Sequence, residues 1–326
     1  MKRLIKRALG RIAICAGIAL PRSRRILRSV GLRCSQNLFG NRAVSIPISQ
    51  RKMLRLTNVD ESYLAFQLFW HGFQYYEPIT RLLLREILRP GGTFLDIGAH
   101  HGFFSLTAGL LVEGIHIVAF EPNPGNSRIL KGNVAANGLT NIRCEPLAIS
   151  DSDGMAALYL TESDMSGSLL QGFQSHDTRQ IGSVQVRTVT LDHYVKAHRP
   201  EGPLAIKVDI EGHEAAFMRG ARESIRSFKP DIVLEVVEDQ DPVWMANLRC
   251  LGYRFYSITD QGLVEMDAPR LVKRFPFLFL NHLLSTRPKE EIEEIFRRLE
   301  PSVRAINLLD TSKHFRKEEW PLLWQE

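Results

Sequence analysis

The sequence predicts an α/β fold in which a parallel sheet is covered by helices on both faces. Short apolar runs, typical of buried strands, alternate with segments of helical periodicity from Thr93 onward. That alternation is characteristic of parallel sheets. The chain has 326 residues, of which 44% are hydrophobic. This is enough for a large buried core and excludes a wholly disordered protein.

The elements follow one another where the hydrophobic period changes. Helical spacing over residues 66–89 ends at Pro90-Gly91-Gly92. Buried strands are then predicted at residues 93–97, 115–120, 142–149, 204–210 and 231–236. The intervening segments predict helices at residues 102–111, 126–137 and 213–228. Further patterns predict strands at residues 155–160, 184–191, 253–258 and 275–284, and a charged amphipathic helix at residues 290–299.

Charge divides the chain into a basic arm and an acidic body. The net charge is +6, but the first 59 residues carry fourteen Lys and Arg and no acid. The rest of the chain therefore has 28 basic and 36 acidic residues. We predict three parts: a basic amphipathic N-terminal arm (1–59), a folded domain (60–285) and a charged helical tail (286–326).

Residues 1–33 of the arm combine this charge with an amphipathic pattern. Apolar side chains recur at helical spacing from Leu4 to Ile12, and an uncharged apolar stretch continues to Leu20. That stretch is too short to cross a bilayer as a helix, which takes ~20 residues. The pattern favours a helix lying on an anionic membrane surface, with a secretory signal or a solvated extension as alternatives. No nucleic-acid partner is expected, because the whole arm (1–59) has a single aromatic residue, Phe39, for base stacking.

The four cysteines, Cys15, Cys34, Cys144 and Cys250, are scattered and form no C-x-x-C pair. Neither a zinc cluster nor a disulfide framework is therefore predicted. Such cysteines are compatible with a reducing compartment. We expect a cytoplasmic protein that reaches the inner membrane face through its arm.

A glycine turn follows the first predicted strand, where sheets of this type bind their ligands. It reads Asp96-Ile97-Gly98-Ala99-His100-His101-Gly102. Gly98 permits a tight turn, Gly102 lets the next helix pack closely on the strand, and the helix N-terminus offers free N–H groups. A dinucleotide site needs another glycine where His100 stands, because the backbone approaches the pyrophosphate there. S-adenosylmethionine has no pyrophosphate and is favoured over a nicotinamide cofactor; its carboxylate would meet the N–H groups and its ammonium Asp96.

Glu121 ends the second predicted strand, 23 residues after Gly98. An acid at about 20 residues from such a glycine turn accepts hydrogen bonds from the ribose hydroxyls. Asn123 follows two residues later, where it could touch the adenosine. The predicted cofactor-binding residues are Asp96, Gly98, Ala99, Gly102, Glu121 and Asn123.

An acidic cluster follows the predicted strand at residues 204–210, in the segment Lys207-Val208-Asp209-Ile210-Glu211-Gly212-His213-Glu214. Alternation places Lys207, Asp209 and Glu211 on one side of the strand, where ionised groups are costly unless paired or exposed to a wet cleft. Methyl transfer to an alcohol requires an aligned nucleophile and a base for its proton, so Asp209, Glu211 and His213 are the candidate catalytic residues. Alternatively, Lys207 simply pairs with Asp209. The pattern is not specific for a metal ion, and no metal site is predicted.

Four segments of the chain occur together in a known family. They are Tyr76-Glu77-Pro78, Phe94–Gly102, Ala119–Pro124 and Ile206–Glu214, in this order between about Phe73 and Val236. Together they resemble the FkbM-type S-adenosylmethionine-dependent methyltransferase family. The resemblance implies a class I methyltransferase fold, a Rossmann-like, seven-stranded and mostly parallel sheet with one antiparallel strand. It also implies O-methylation, often of sugar or natural-product hydroxyls, with Asp96, Gly98 and Glu121 at the cofactor and the segment after Ile206 at the acceptor.

From these features we expect an S-adenosylmethionine-dependent methyltransferase that acts on a hydroxyl of a sugar, glycan or related small molecule. The sugar acceptor rests on the resemblance alone. Two alternatives remain open. One is a binding or scaffold protein that keeps the fold without turnover, and the other is a nicotinamide-dependent oxidoreductase, which would bind NAD instead.

Overall fold

The structure is a computed structural model that describes residues 43–74, 76–161, 167–170, 180–236, 242–259, 262–269, 272–274 and 277–311. Its strands are β1 (Val44–Pro47), β2 (Met53–Leu56), β3 (Gly92–Ile97), β4 (Ile115–Phe120), β5 (Ile142–Glu145), β6 (Leu147–Ser150), β7 (Gly154–Thr161), β8 (Gly167–Ser168), β9 (Gln180–Thr190), β10 (Leu204–Val208), β11 (Asp231–Glu235), β12 (Arg254–Thr259), β13 (Gly262–Met266), β14 (Val272–Arg274), β15 (Phe277–Phe279) and β16 (Asn281–Ser285). Its α-helices are α1 (Tyr63–His71), α2 (Pro78–Ile87), α3 (Phe103–Leu111), α4 (Pro124–Ala136), α5 (Leu191–His198), α6 (Glu214–Gly220), α7 (Arg222–Phe228), α8 (Pro242–Cys250) and α9 (Lys289–Thr311).

Eight strands form the central sheet, in the order β13-β12-β16-β11-β10-β3-β4-β5. Strands β3, β4, β5, β10 and β11 run parallel, and β16 is antiparallel to both β11 and β12. Strand β13 only adds a hairpin to β12 at one edge. The remaining seven strands, of which only β16 is antiparallel, match the sheet that the resemblance implies. The expected class I methyltransferase fold is therefore confirmed, and β13 is an additional eighth strand.

Both faces of this sheet are buried. Along β11, Ile232 and Leu234 belong to one apolar cluster and Val233 to the other. The first cluster includes side chains of α5 to α8, and the second includes side chains of α1 to α4 and of α9. Strands covered on both faces read as continuous apolar runs, which is why the sequence predicts them well.

The strand order reverses between β3 and β10. From β3 the chain continues to β4 and β5 on one side, and it returns to β10 and β11 on the other. Such a reversal opens a crevice beyond the carboxyl ends of the strands. The glycine turn after Ile97 and the acidic segment after Val208 both lie at this crevice.

Three predicted elements are interrupted in the structure. The helix expected at residues 66–89 is two helices, because Gly72 has a φ of 88° and Pro78 begins a new helix. The strand expected at 142–149 splits at Pro146 into β5 and β6, which belong to different sheets. The helix expected at 213–228 breaks at Ala221, whose backbone is not helical.

A second, four-stranded sheet has the order β6-β9-β7-β8. It includes the strands predicted at residues 155–160 and 184–191. It touches the loop after β10, where the Ser168 hydroxyl donates a hydrogen bond to the backbone carbonyl of Glu211 at 2.7 Å. The second sheet therefore borders the crevice from one side.

The first and last described segments pack on the body of the domain. Hairpin residues Val44, Ile46, Leu54 and Leu56 are each at most 2% exposed. Helix α9 buries Ile292, Ile295, Leu299 and Val303 and packs on α2. Residues 43–59 and 289–303 thus join the folded body. The division into arm, domain and tail stays a prediction for residues 1–42 and 312–326, which lie outside the described residues.

Candidate functional site

The glycine turn and the acidic segment lie in direct contact. Gly98 has a φ of +82°, and a Cβ at this position would lie 1.8 Å from the backbone carbonyl oxygen of Asp209. The Asp209 N–H donates to the carbonyl of Ile97 at 3.0 Å, which extends the ladder of β3 and β10 into the two loops. Glycine is therefore required at position 98 by the close approach of the neighbouring loop as well as by the turn itself.

The backbone N–H groups of the turn are bonded within the protein. Those of Gly98 and Ala99 both donate to the carbonyl of Phe120, at 3.0 and 2.9 Å. A Cβ on Gly102 would lie 2.4 Å from Cδ1 of Leu130, so this glycine permits close packing against α4. The sequence had instead predicted that it permits packing of the next helix on the strand. These residues shape the turn, and their contact with a cofactor stays a prediction.

Asp96 is buried in β3 and caps the helix that follows the turn. Its Oδ2 accepts hydrogen bonds from the Ser105 backbone N–H at 3.0 Å and from the Ser105 hydroxyl at 2.5 Å. Burial raises the pKa of Asp96, and the nearby Lys207 ammonium and the bonds from Ser105 oppose this rise. One carboxylate oxygen is thus committed to α3, and the predicted contact of Asp96 with the cofactor ammonium stays a prediction.

Glu121 follows β4 with its carboxylate held in one orientation. Its Oε2 accepts the His100 N–H and its Oε1 accepts the Asn123 N–H, both at 2.8 Å. Because a carboxylate oxygen can accept two hydrogen bonds, each oxygen can accept a further donor such as a ribose hydroxyl. Burial raises the pKa of Glu121 to about 7, although the two backbone bonds lower it. The Asn123 side chain itself caps α4, since its Oδ1 accepts the Gly125 N–H at 2.9 Å.

The two histidines of the turn have different surroundings, although their rings stack with centroids 3.6 Å apart. His101 is 1% exposed, and its ring nitrogens lie 2.7 Å from the Ser62 hydroxyl and 3.2 Å from the Asn126 side-chain oxygen. Burial lowers the pKa of His101 to about 2, so the ring is neutral and part of the core. His100 has a φ of 51° and lies near Asp209, whose pKa it helps to lower.

Lys207 lies at the centre of a buried charge cluster. Its side chain is 2% exposed, and its Nζ lies 2.8 Å from Oδ2 of Asp209 and 4.5 Å from the centroid of the Phe104 ring. Burial lowers the pKa of Lys207, but the surrounding carboxylates raise it by more, so the ammonium stays charged. Those carboxylates belong to Asp209, Glu77, Asp96 and Glu235.

Asp209 and Glu235 form a pair that shares a proton beside Lys207. Burial raises the pKa of Asp209, but the Lys207 charge and a hydrogen bond from Glu235 bring it down to about 2. Burial and the Asp209 charge raise the pKa of Glu235 well above its usual value. Glu235 therefore carries the proton and donates a hydrogen bond to the ionised carboxylate of Asp209. Because the Asp209 side chain is 21% exposed, it reaches the crevice.

Glu211 and His213 have different surroundings. Glu211 has a φ of 51°, and its charge raises the pKa of Glu235, so its carboxylate lies near the pair. The His213 ring lies against the second sheet, with Nε2 3.0 Å from the Ser150 hydroxyl. Burial lowers the pKa of His213. The structure thus brings Asp209 and Glu211 to the cluster and places His213 beside it.

The domain that carries this site matches a known family. The model of the methyltransferase FkbM domain covers residues 96–255, from the first acid of the turn into β12. Residues 96–255 are therefore an FkbM methyltransferase domain. The match indicates S-adenosylmethionine as the cofactor.

Individual relatives of this chain are distant. Hexuronic acid methyltransferase AglP of Haloferax volcanii is 24% identical over 167 residues, which are 51% of this chain and 64% of the relative. The chain thus spans just under two thirds of the length of this curated relative. The crystal structure of methyltransferase FkbM from Methylobacillus flagellatus is 16% identical with a TM-score of 0.39, covering 60% of this chain and 43% of that one. Precorrin-6y C5,15-methyltransferase from Geobacter metallireducens is 12% identical with a TM-score of 0.36, covering 65% and 90%.

The candidate site contains two carboxylates that sequence reasoning did not single out. Glu77 precedes α2 with a φ of 36°, and its Oε2 accepts a hydrogen bond from the Asn281 amide at 2.9 Å. Glu235 ends β11. In the sequence, Glu235 can be recognised as an acid at the end of an apolar strand, just as Asp209 follows the apolar strand β10. Glu77 was visible only as part of the segment Tyr76-Glu77-Pro78.

Proposed function

We propose that this chain is an S-adenosylmethionine-dependent O-methyltransferase that acts on a hydroxyl of a sugar or a sugar-containing molecule. The observation that carries the proposal is the placement of Glu121 and Asp209 on adjoining loops at the reversal of the sheet, with Gly98 between them. Glu121 offers an oriented carboxylate for two ribose hydroxyls, and Asp209 offers an ionised carboxylate to the crevice. The cofactor supplies a methyl group on a sulfonium centre.

Asp209 is the group that we assign to the acceptor hydroxyl. Its carboxylate would accept the O–H hydrogen bond and orient the oxygen. It would then receive the proton as the oxygen–methyl bond forms and the methyl–sulfur bond breaks to leave a neutral thioether. A pKa of about 2 makes Asp209 a weak base, and it can still receive this proton because a hydroxyl oxygen becomes strongly acidic as it is methylated. Glu211 is the second candidate base because its charge acts on that pair. His213 is the third candidate, because its ring contacts the Ser150 hydroxyl and not the pair of Asp209 and Glu235.

The class of acceptor is supported by the relative from Haloferax volcanii, which is a hexuronic acid methyltransferase. Incubation with methyl-labelled S-adenosylmethionine and a panel of sugars, sugar acids and cell-extract glycans tests turnover directly. We expect label to enter a sugar-containing product as an ether. A protein that binds S-adenosylmethionine but labels nothing in the extract would be a binding or scaffold protein. Affinity for NAD instead would indicate an oxidoreductase.

Replacement of Glu121 by alanine is expected to weaken S-adenosylmethionine binding by at least roughly tenfold in calorimetry. Hydrogen bonds to a charged acceptor contribute about 1.5–3 kcal/mol each, and about 1.4 kcal/mol corresponds to a factor of ten. Glu223→Ala, which removes an exposed acid from α7, is the matched control and should bind as wild type does. Equal affinity in wild type and Glu121→Ala would contradict the cofactor assignment.

The affinity for S-adenosylmethionine is also expected to fall as the pH drops through about 7. Burial raises the pKa of Glu121 to about 7, with Asp96 and Asp209 adding to the rise. Protonation removes one acceptor for the ribose, so the dissociation constant should rise about tenfold between pH 8 and pH 6. Because the amino group of the ligand titrates near pH 8, Glu121→Gln is the required control. A profile of the same steepness in Glu121→Gln would contradict the assignment to Glu121.

We further propose that residues 1–33 hold the protein on an anionic membrane surface at the cytoplasmic face. The support is the sequence of these residues, which are basic, amphipathic and free of acids, and they lie outside the described residues. Within the described ranges, no helix has the length and apolar character needed to span a bilayer. Flotation with vesicles containing phosphatidylglycerol should recover the full-length chain and not a chain starting at Ala43, which retains β1 and β2. Equal recovery of both would contradict the proposal.

A further inference from the structure

A cleft of about 550 Å³ opens between α4 and the second sheet. It begins at Pro122, directly after the acid that we assign to the ribose. Three cationic side chains line it, Arg128 and Lys131 from α4 and Arg187 from β9. No acid is among the lining residues that the structure describes. Arg128 is paired with Glu61, so Lys131 and Arg187 dominate the charge of the cleft.

Ser127 adds a buried hydroxyl to the same wall. It lies one helical turn before Lys131 on α4, and residues at this spacing share a helix face. Ser127 is 4% exposed, and its Oγ has no hydrogen-bond partner in the part of the chain that the structure describes. Buried hydroxyls in native proteins nearly always have a partner. A rotation of the Ser127 side chain would bring this hydroxyl to an anionic oxygen bound in the cleft.

The cleft also lies close to the N-terminus of α4. It lies along the first turns of a 13-residue helix whose N-terminus carries a positive partial charge. On the opposite wall, Met155 is 61% exposed, and together with Pro122 it presents an apolar surface. Cations, a hydroxyl and an apolar wall suit a ligand that combines a negative charge with a carbon ring.

We infer that this cleft binds a carboxylate or a phosphate on a unit of an extended acceptor beyond the sugar that is methylated. The inference rests on the proposed function, because the cleft adjoins the cofactor-binding acid Glu121 and would hold the part of the acceptor that extends past it. It assigns to Lys131 and Arg187 the recognition of the charge and to Ser127 a hydrogen bond to the same group.

Titration of the full-length protein with sodium glucuronate, inorganic phosphate and glucose at low salt tests this assignment. The two anions should bind and glucose should not, and the preferred anion tells a sugar acid from a sugar phosphate. Arg187→Ala and Lys131→Ala should each weaken anion binding by about tenfold, as expected for loss of a charge-assisted contact. Arg187→Lys should keep most of the affinity. Arg226→Ala removes the same charge from an exposed site on α7 and should have little effect.

Calorimetry with S-adenosylmethionine on the same variants separates this inference from the proposed function. Unchanged cofactor affinity in Lys131→Ala and Arg187→Ala is expected. A loss of cofactor affinity in these variants would overturn the inference, because the cleft would then belong to the cofactor site. The inference would equally be overturned if neither anion binds, or if Arg226→Ala weakens anion binding as much as Arg187→Ala does. Wild-type protein that binds the anions but no S-adenosylmethionine would overturn the proposed function, and with it the acceptor role of the cleft.

Discussion

Replacing Lys207 with methionine is expected to lower the free energy of unfolding by about 3–5 kcal/mol, measured by urea unfolding near neutral pH. Methionine keeps an unbranched chain beside the Phe104 ring, so the packing changes little. The ammonium, however, is surrounded by the carboxyl groups of Asp209, Glu77, Asp96 and Glu235. Its removal leaves the charge of Asp209, whose side chain is only 21% exposed, without compensation, and that is the costly change.

The pH dependence of this effect has a defined sign. Burial already raises the pKa of Glu77, Asp96 and Glu235, and loss of the Lys207 charge raises each of them further. The folded variant then binds more protons than its unfolded chain, so its stability falls as the pH rises. The difference between wild type and Lys207→Met should therefore be larger at pH 8 than at pH 5.

A surface lysine provides the control for Lys207. Lys196 is exposed on α5, and Lys196→Met should change the stability by no more than about 0.5 kcal/mol at either pH. If Lys207→Met costs no more than this control, then the carboxyl groups around it are not ionised at neutral pH. The arrangement of Asp209 as an ionised acceptor next to a protonated Glu235 would then be wrong.

The centre of this cluster could be predicted from the sequence, and its periphery could not. Lys207 and Asp209 alternate along one strand, so their pairing follows from the period of two. Glu77 and Glu235 reach Lys207 from a helix start and from the neighbouring strand, and only the fold brings them there. Their role depends on long-range contacts that no local pattern encodes.

The same distinction holds for the fold. The strands β3, β4, β10 and β11 were predictable because burial on both faces makes each a continuous apolar run. The break between α1 and α2 depends on the φ of 88° at Gly72, a conformation that a glycine permits but does not require. In the hairpin of β1 and β2, the alternation of Val44 with Ile46 and of Leu54 with Leu56 indicates strands. The basic charge of this segment assigned it to the arm instead.

Gly98→Ala is expected to destabilise the protein by about 3 kcal/mol or more and to abolish measurable S-adenosylmethionine binding. An alanine at a φ of +82° costs about 1–2 kcal/mol. Its methyl group would in addition lie 1.8 Å from the backbone oxygen of Asp209, and overpacking of this kind costs about 1–3 kcal/mol. The Asp209 backbone cannot retreat without breaking its hydrogen bond to Ile97, so the two loops must separate.

Gly252→Ala separates the cost of the conformation from the cost of the contact. Gly252 has a φ of +91°, but nothing lies within 4 Å of a Cβ at this position. Its replacement should therefore cost only about 1–2 kcal/mol and leave S-adenosylmethionine binding intact. Any excess loss of stability in Gly98→Ala measures the contact between the glycine turn and the acidic segment. If the two variants lose equal stability and both still bind the cofactor, that contact does not hold the two halves of the site together, and the assignment of Asp209 to the acceptor beside the cofactor fails.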